Sequence, residues 1–466
     1  MGYLKGLTTI TATDSYKVGQ APQYPKGTTE VYSYFESRKG ALFQEMVFFG
    51  LLPILKVLEK PVTMQDIDDA EVLFMKHFGV NMFNRAGWEN IVNRYSGRLP
   101  IKIKAVPEGM VVPVGNVLMT VKNTDGATDT PSYWLTNYLE TVLTHVWYPS
   151  TVATNSREMK KLILEQLHKT GTPELIDFKL HDFGFRGVTC NEQAAIGGLA
   201  HLVNFKGTDT MAALILAAEL YKCECAGYSI AASEHSTITS WGQENEVDAM
   251  RNMIKTYGDN NLYACVSDSY DIYRACRQLW GKELKAEVLA AKGTLVIRPD
   301  SGEPTEVVVK CLDILGEAFG FTYIKGYKVL NPKVRLIQGD GIDFEEVRRI
   351  QNAMERAGWS ADNIAYGSGG GLLQKLNRDT MRCAFKCSSV TVNGFERDVS
   401  KAPVTDAGKT SKKGKLSLVM KNGVPTTVKG EDREGDLLET VFLNGDILKE
   451  YTLDEVRANA AKGLRL

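Results

Sequence analysis

Between about residues 176 and 392 short apolar runs alternate with helical segments, and this rhythm limits the chain to few folds. Residues 178–180 are strand-like and run into His181-Asp-Phe-Gly-Phe-Arg-Gly187. Residues 202–205 run into Lys206-Gly-Thr-Asp209, and 227–232 into Ser233-Glu-His-Ser236. Residues 262–266 lead to Ser267-Asp268, 294–297 to Arg298-Pro-Asp-Ser-Gly302, and 334–337 to Gln338-Gly-Asp-Gly341. Residues 364–366 lead to Gly367-Ser-Gly-Gly-Gly371, and 385–392 form the last candidate strand. Seven or eight such strands with helices between them call for a parallel α/β core. In a β/α barrel, functional residues gather at the C-terminal ends of the strands. An open doubly wound sheet would instead concentrate them at one switch point. Polar residues follow nearly every strand here, which favours an irregular β/α barrel.

Two of these strand ends are glycine-rich. Residues 366–371 hold four glycines, at a cost in backbone entropy that an ordinary element would not bear. A strand before them and the first turn of a helix at 372–376 after them is a geometry that cradles an anion on bare N–H groups. A tight turn with no ligand remains the plainer alternative. Gly339-Asp-Gly341 is a second candidate cradle.

The two ends of the chain have a different character. Residues 41–59, 64–78, 132–148 and 151–168 carry helical periodicity, and 100–122 alternate like a β-meander. Residues 30–38 alternate like a strand whose Tyr32, Tyr34 and Phe35 suit a core, whereas Tyr16 sits in a polar context between Asp14 and Lys17. After 390, Asn393-Gly394, Asn422-Gly423 and Asn444-Gly445 are three hairpin signals. The expected organisation is a β-rich and helical part at 1–148, the α/β barrel at 149–389, and a β-rich tail at 390–466 that completes the first part. Residues 401–415 hold five lysines and no aromatic. They suit a solvated loop or a flap over a phosphorylated ligand, not a nucleic-acid surface, which needs stacking residues.

The formal net charge of −1 recruits neither nucleic acid nor membrane. Eight cysteines lack zinc-site or redox-motif spacing and suit buried thiols in a reducing compartment. The N-terminus has no secretory signature, so a cytoplasmic location is expected.

Taken together, the strand ends offer two anion cradles, guanidiniums at Arg186, Arg298 and Arg378, carboxylates at Asp209, Asp268, Asp300 and Asp340, and an imidazole at His235. Cradles suit phosphate, and carboxylates beside them suit ribose hydroxyls or a Mg²⁺-bound polyphosphate. His235, with Glu234 and Asp268 placed to orient it, suits a proton shuttle or a phosphoryl acceptor. A sugar phosphate with a second phosphate group is the natural ligand class.

Asp14-Ser-Tyr-Lys17, Tyr32-Ser-Tyr-Phe-Glu36, the 181–187 and 204–209 segments, Ala232-Ser-Glu-His-Ser-Thr237, Ser267-Asp-Ser-Tyr-Asp271, Arg298-Pro-Asp-Ser-Gly302, Gln338-Gly-Asp-Gly341 and the 367–375 segment together resemble the nicotinate/nicotinamide phosphoribosyltransferase family, on its nicotinamide side. The matches run in order over nearly the whole chain. The resemblance implies a homodimer with shared active sites. It also implies condensation of nicotinamide with phosphoribosyl pyrophosphate, using Mg²⁺, to nicotinamide mononucleotide and pyrophosphate. By position, Phe183 and the partner's Tyr16 would sandwich the pyridine ring, Asp209 would accept from the carboxamide, and Arg298 would lie beside ring and amide. Arg186 joins these substrate-binding positions. Asp300 and Asp340 match ribose or adjacent contacts, and Gly339 and Gly370, with Gly369 beside them, match donors to the 5-phosphate. Arg38, Arg378, Lys386, Lys401 and Lys409 match the pyrophosphate set. His235 matches a histidine phosphorylated by ATP, the co-substrate that drives the condensation. Two departures are a short segment after Arg38 and Phe185 where a Tyr is common. The alternatives are a nicotinate enzyme, which should avoid an acid at 209, and a non-catalytic binding or signalling protein on the same scaffold.

Overall fold

A computed structural model describes residues 7–401, 405 and 411–464. The chain divides into two compact units. One comprises Met1–Thr154, Glu219–Cys223 and Asn377–Lys462, and the other Asn155–Ala218, Glu224–Leu376 and Gly463–Leu466.

The first unit is built on a seven-stranded antiparallel sheet. Its order is Phe395–Asp398, Cys383–Val392, Thr28–Ser37, Val117–Asn123, Ile101–Ala105, Glu439–Leu443 and Asp446–Ile447. Both chain ends contribute, as expected. Tyr32, Tyr34 and Phe35 of the central strand are fully buried. The Tyr32 hydroxyl donates to the Leu416 carbonyl at 3.0 Å, so the polar tips are used as well. Each Asn-Gly pair makes a two-residue hairpin turn. Both positions have positive φ, for example 51° at Asn393 and 78° at Gly394, as this turn type demands.

Two readings at this end are corrected. Residues 41–51 are not helical: Glu45–Val47 pairs antiparallel with Val111–Pro113, and the helix is only Leu52–Leu58. Residues 46–52 are buried throughout. A continuous apolar run has no period of its own, so it gave no means of telling strand from helix. Cys383–Val392, expected to close the barrel's run of strands, instead pairs antiparallel with Thr28–Ser37, Tyr34 opposite Lys386. The division between units therefore falls near 376 and not at 389.

The second unit carries a parallel sheet in the order Gly207–Thr208, Leu180–Asp182, Ile364–Ser368, Val334–Gln338, Thr294–Arg298, Leu262–Val266 and Ala231–Ala232. Its edges meet, because Tyr228, just before the last strand, bridges to Gly207 in parallel. Side chains alternate across the ring. Ala264, Val296 and Ile337 form a small inner cluster, while Leu295, Ile297 and Leu336 join the large outer core under the helices, the layering that a closed barrel imposes. At the N-terminal ends of the strands the buried Lys179 donates to the carbonyls of Ala361, Asp362 and Ile364 at 3.0, 3.0 and 2.9 Å. Burial pulls its pKa down to about 7, yet all its donors are engaged in closing that end.

Here too some strands are shorter than expected. Residues 202–205 are not a strand: the helix Asn191–Leu202 runs into them, and the strand that follows is only Gly207–Thr208. Leu202, Val203 and Phe205 are apolar because they bury the end of that helix. Residues 178–179 end a 3-10 turn at Pro173–Phe178, and the strand begins at Leu180. The glycine stretch opens one helical turn, Gly370–Leu373, and no longer helix.

Candidate active site

The C-terminal ends of the parallel strands surround a cavity of about 1140 Å³ within the second unit. Phe183, Arg186, Asp209, Glu234, Arg298, Asp300, Gly339, Asp340, Gly369 and Gly370 all line it. These are ten of the residues singled out from the sequence, drawn from six strand ends.

Phe183 owes its position to local chemistry. The Asp182 carboxylate accepts from the Gly184 N–H at 2.7 Å, which turns the chain directly after its strand. Asp182 is fully buried, and burial pushes its carboxyl above the usual range. The turn lays the Phe183 ring on the backbone of Gly367, where a Cβ would stand 1.9 Å from Cε2. Gly371 is tight in the same way, since a Cβ there would meet the Ile342 carbonyl at 2.4 Å. A Cβ at Gly370, by contrast, would meet nothing within 4 Å, so its backbone faces open space. Gly369 and Gly370 N–H groups have no backbone acceptor among the described residues. They remain available to a ligand.

The charged groups of the cavity are held in pairs. His181 Nε2 lies 2.9 Å from Asp209 Oδ1, and the Ser229 hydroxyl donates to the same oxygen at 2.5 Å. Burial raises the Asp209 carboxyl, but the His181 hydrogen bond and charge, the Ser229 hydroxyl and the Arg298 charge outweigh it, and the net shift is downward. Asp209 is therefore ionised near neutral pH. Arg298 donates to Asp300 Oδ2 at 3.0 Å, while its buried Nε has no protein partner among the described residues.

His235 begins the short helix His235–Thr239, with Glu234 as its N-cap. Its Nε2 lies 2.9 Å from Asp268 Oδ1, and its Nδ1 is 4.0 Å from Asp300 Oδ2. Ser301 donates to the other Asp268 oxygen at 2.6 Å. The Asp268 side chain is buried and that of His235 is half exposed. Glu234 is engaged by the Ser236 hydroxyl, so Asp268, and not Glu234, orients the imidazole.

Arg38, Arg378, Lys386 and Lys401 belong to the first unit and gather there. Burial pulls the Lys386 pKa below its ordinary 10.5; Glu140 pushes it back, and the charges of Arg38, Arg378 and Lys401 push it down further. Tyr16, on the turn Ser15–Lys17 of the same unit, is 60% exposed. Lys409 lies outside the described residues. Sequence reasoning passed over Asn191, Ser233 and Lys375, which line the cavity, and the supporting hydroxyls of Ser229 and Ser301. An isolated serine carries no signal until its partner is known.

The sequence pattern described as the nicotinate phosphoribosyltransferase (NAPRTase) family matches residues 178–446, more than half of the chain. The chain belongs to the nicotinate phosphoribosyltransferase family. Within that family, residues 8–103 match the pattern described as the nicotinamide phosphoribosyltransferase N-terminal domain. A nicotinamide phosphoribosyltransferase of Xanthomonas campestris pv. campestris is 51% identical, with 99% of each chain covered. One of Acinetobacter baylyi is 32% identical, with 98% of each covered. Among solved structures, nicotinate-nucleotide pyrophosphorylase from Pyrococcus furiosus aligns with a TM-score of 0.60 at 15% identity, covering 97% of this chain and 95% of that one. Human nicotinic acid phosphoribosyltransferase aligns with a TM-score of 0.58 at 16% identity, covering 96% of this chain and 92% of that one. At such identities the two structures share the family fold and no more. No helix among the described residues is long and apolar enough to cross a membrane.

Proposed function

We propose that this family member condenses nicotinamide with phosphoribosyl pyrophosphate, giving nicotinamide mononucleotide and pyrophosphate, and couples the reaction to ATP through His235. The observation that carries the reading is the ionised Asp209 in the cavity that holds the open face of Phe183. A carboxylate there accepts from a carboxamide N–H and repels the carboxylate of nicotinate. Relatives that cover the chain end to end carry the same substrate in their names.

In this reading the pyridine ring lies on Phe183, with Arg298 beside it. Tyr16 of a second copy of the chain covers the other face, which its exposure permits. Met211 and Ile215, both well exposed on an apolar helix of the second unit, offer that copy a surface to bury. The ring nitrogen attacks the anomeric carbon as the bond to pyrophosphate breaks, through an oxocarbenium-like state. The N–H groups of Gly369 and Gly370, with Gly339, receive the 5-phosphate. Arg38, Arg378, Lys386 and Lys401, gathered on the first unit, offer the positive charge that a pyrophosphate calls for, an effect worth most where water is excluded.

No group of three or more His, Cys, Asp or Glu side chains among the described residues forms a metal cage. Asp300 and Asp340 both line the cavity. Two carboxylates together with polyphosphate oxygens are a donor set suited to a hydrated Mg²⁺. When bound, Mg²⁺ would neutralise part of the pyrophosphate charge. At His235, Asp268 engages Nε2 and leaves Nδ1 as the nucleophile toward the γ-phosphorus of ATP, with ADP as leaving group.

The test supplies nicotinamide, phosphoribosyl pyrophosphate and Mg²⁺, with and without ATP. The wild-type chain should form the mononucleotide and be stimulated by ATP. His235→Ala should keep a slow condensation and lose the stimulation. Stimulation that survives this change would remove His235 from the coupling, and absence of any mononucleotide would favour a non-catalytic role.

A further inference from the structure

Asp209 is held asymmetrically. His181 and Ser229 both reach Oδ1, at 2.9 and 2.5 Å, and neither reaches Oδ2. An ionised carboxylate only accepts hydrogen bonds, so both partners must donate, and the imidazole carries its proton on Nε2. Two donors on one oxygen fix the rotation of the carboxylate about its last bond. That rotation decides which way the second oxygen faces. The Asp209 side chain is about half exposed and stands on the loop after a two-residue strand, so its backbone alone would not fix it. His181 can do so because it is anchored: it lies on the neighbouring strand, opposite Gly207, with only 14% of its side chain exposed. Its ring also rests against Phe183, with centroids 5.2 Å apart. A Cβ at Gly207 would come within 2.7 Å of its Nδ1, so the absence of a side chain there is what lets the imidazole lie flat enough to reach Asp209.

We propose that His181, seconded by Ser229, is a specificity-determining positioning residue: by pinning one oxygen of Asp209 it presents the other to the substituent of the pyridine ring. This rests on the nicotinamide reading given above. A carboxamide offers an N–H to the presented oxygen, and a carboxylate offers none. With the pin removed, Asp209 loses its aim. The amide then loses its oriented acceptor, while nicotinate, which never used that acceptor, loses little. A role in general folding would instead lower both activities together.

The experiment compares kcat/KM for nicotinamide and for nicotinate in the wild-type chain, His181→Ala, His181→Gln and Ser229→Ala, with thermal melting followed in each. Loss of an oriented, charge-assisted hydrogen bond corresponds to roughly 10- to 100-fold. His181→Ala should lose about that much kcat/KM for nicotinamide, chiefly in KM, with nicotinate nearly unchanged. His181→Gln, whose amide N–H can reach the same oxygen, should recover most of it. Ser229→Ala, which leaves the stronger anchor in place, should lose roughly threefold. Equal losses for both bases, or no recovery with Gln in a variant that melts like the wild type, would overturn the assignment. If His181→Ala fails to fold, Ser229→Ala decides alone: an unchanged base preference overturns the pin. A wild-type chain that makes no nicotinamide mononucleotide would sink the functional reading itself, and the inference with it, before any variant is compared.

Discussion

Two sets of cations stand on or beside the antiparallel sheet, and they are opposites. Lys104 donates to Asp432 and Asp436 at 2.6 and 2.7 Å, Lys122 pairs with Glu431 at 2.7 Å, and Lys415 with Glu30 at 2.7 Å. Burial lowers the Lys104 pKa, its two aspartates more than reverse this, and the net shift is upward. Lys386 is also desolvated, but its close charged neighbours include Arg38, Arg378 and Lys401, and its pKa falls. Glu140, the acid that opposes the fall, is already bonded to Lys17 at 2.7 Å. A desolvated cation held beside like charges destabilises a fold. The first set is satisfied within the protein and stabilises the sheet. The second set has no carboxylate ion pair among the described residues, which is the expected state of a group that awaits a polyanion.

The contrast can be broken by mutation. The largest effect is expected from Lys104→Ala. It leaves the buried Asp436 without its cation. Stability should then fall by about 3 kcal/mol in urea melts. Activity per folded molecule should hold. Lys386→Ala should do the reverse. Stability should stay level or rise slightly as repulsion is relieved, while KM for phosphoribosyl pyrophosphate rises by roughly 10- to 100-fold, the loss of about 1.5–3 kcal/mol from a charged hydrogen bond. If Lys386→Ala destabilises the chain and leaves that KM alone, the two sets are not different in kind.

The smallest effect is in pH, and its signs are opposite. For Lys386 the folded state gives up its proton first. Between its lowered pKa and the ordinary 10.5 the unfolded state binds more protons, so stability rises with pH. Affinity for pyrophosphate should weaken over the same window. For Lys104 the stability contribution is complete below the ordinary 10.5 and is lost as pH rises through its raised folded value, the opposite slope. Urea midpoints of wild type, Lys386→Met and Lys104→Met between about pH 8 and 11 should separate these slopes.

The same contrast marks what the sequence could tell. The strand–rim–helix rhythm exposed the barrel because each strand's burial is written locally, and Leu262–Val266 lies where its apolar run does. The three Asn-Gly turns were legible because positive φ at two successive positions demands those residues. Pairing was not legible: nothing in Cys383–Val392 says that its neighbours run antiparallel, since a buried strand is apolar in either sheet. Ten cavity residues could be named because a rim follows from the barrel and the resemblance supplied their roles. Lys104 and Lys386 are each a lysine between two apolar strand residues, and only long-range partners at 432 and 436, or at 38 and 378, separate them. The Asp209 clamp was hidden for the same reason, as its two donors come from positions 181 and 229.

The central claim is that an ionised acid at 209 makes this family member choose an amide over an acid on the pyridine ring. Steady-state kinetics with nicotinamide and nicotinate, at saturating phosphoribosyl pyrophosphate, Mg²⁺ and ATP, test it most directly. A kcat/KM for nicotinamide that exceeds that for nicotinate by about 100-fold or more, narrowing in Asp209→Asn, is the predicted result. A wild-type preference for nicotinate would contradict it.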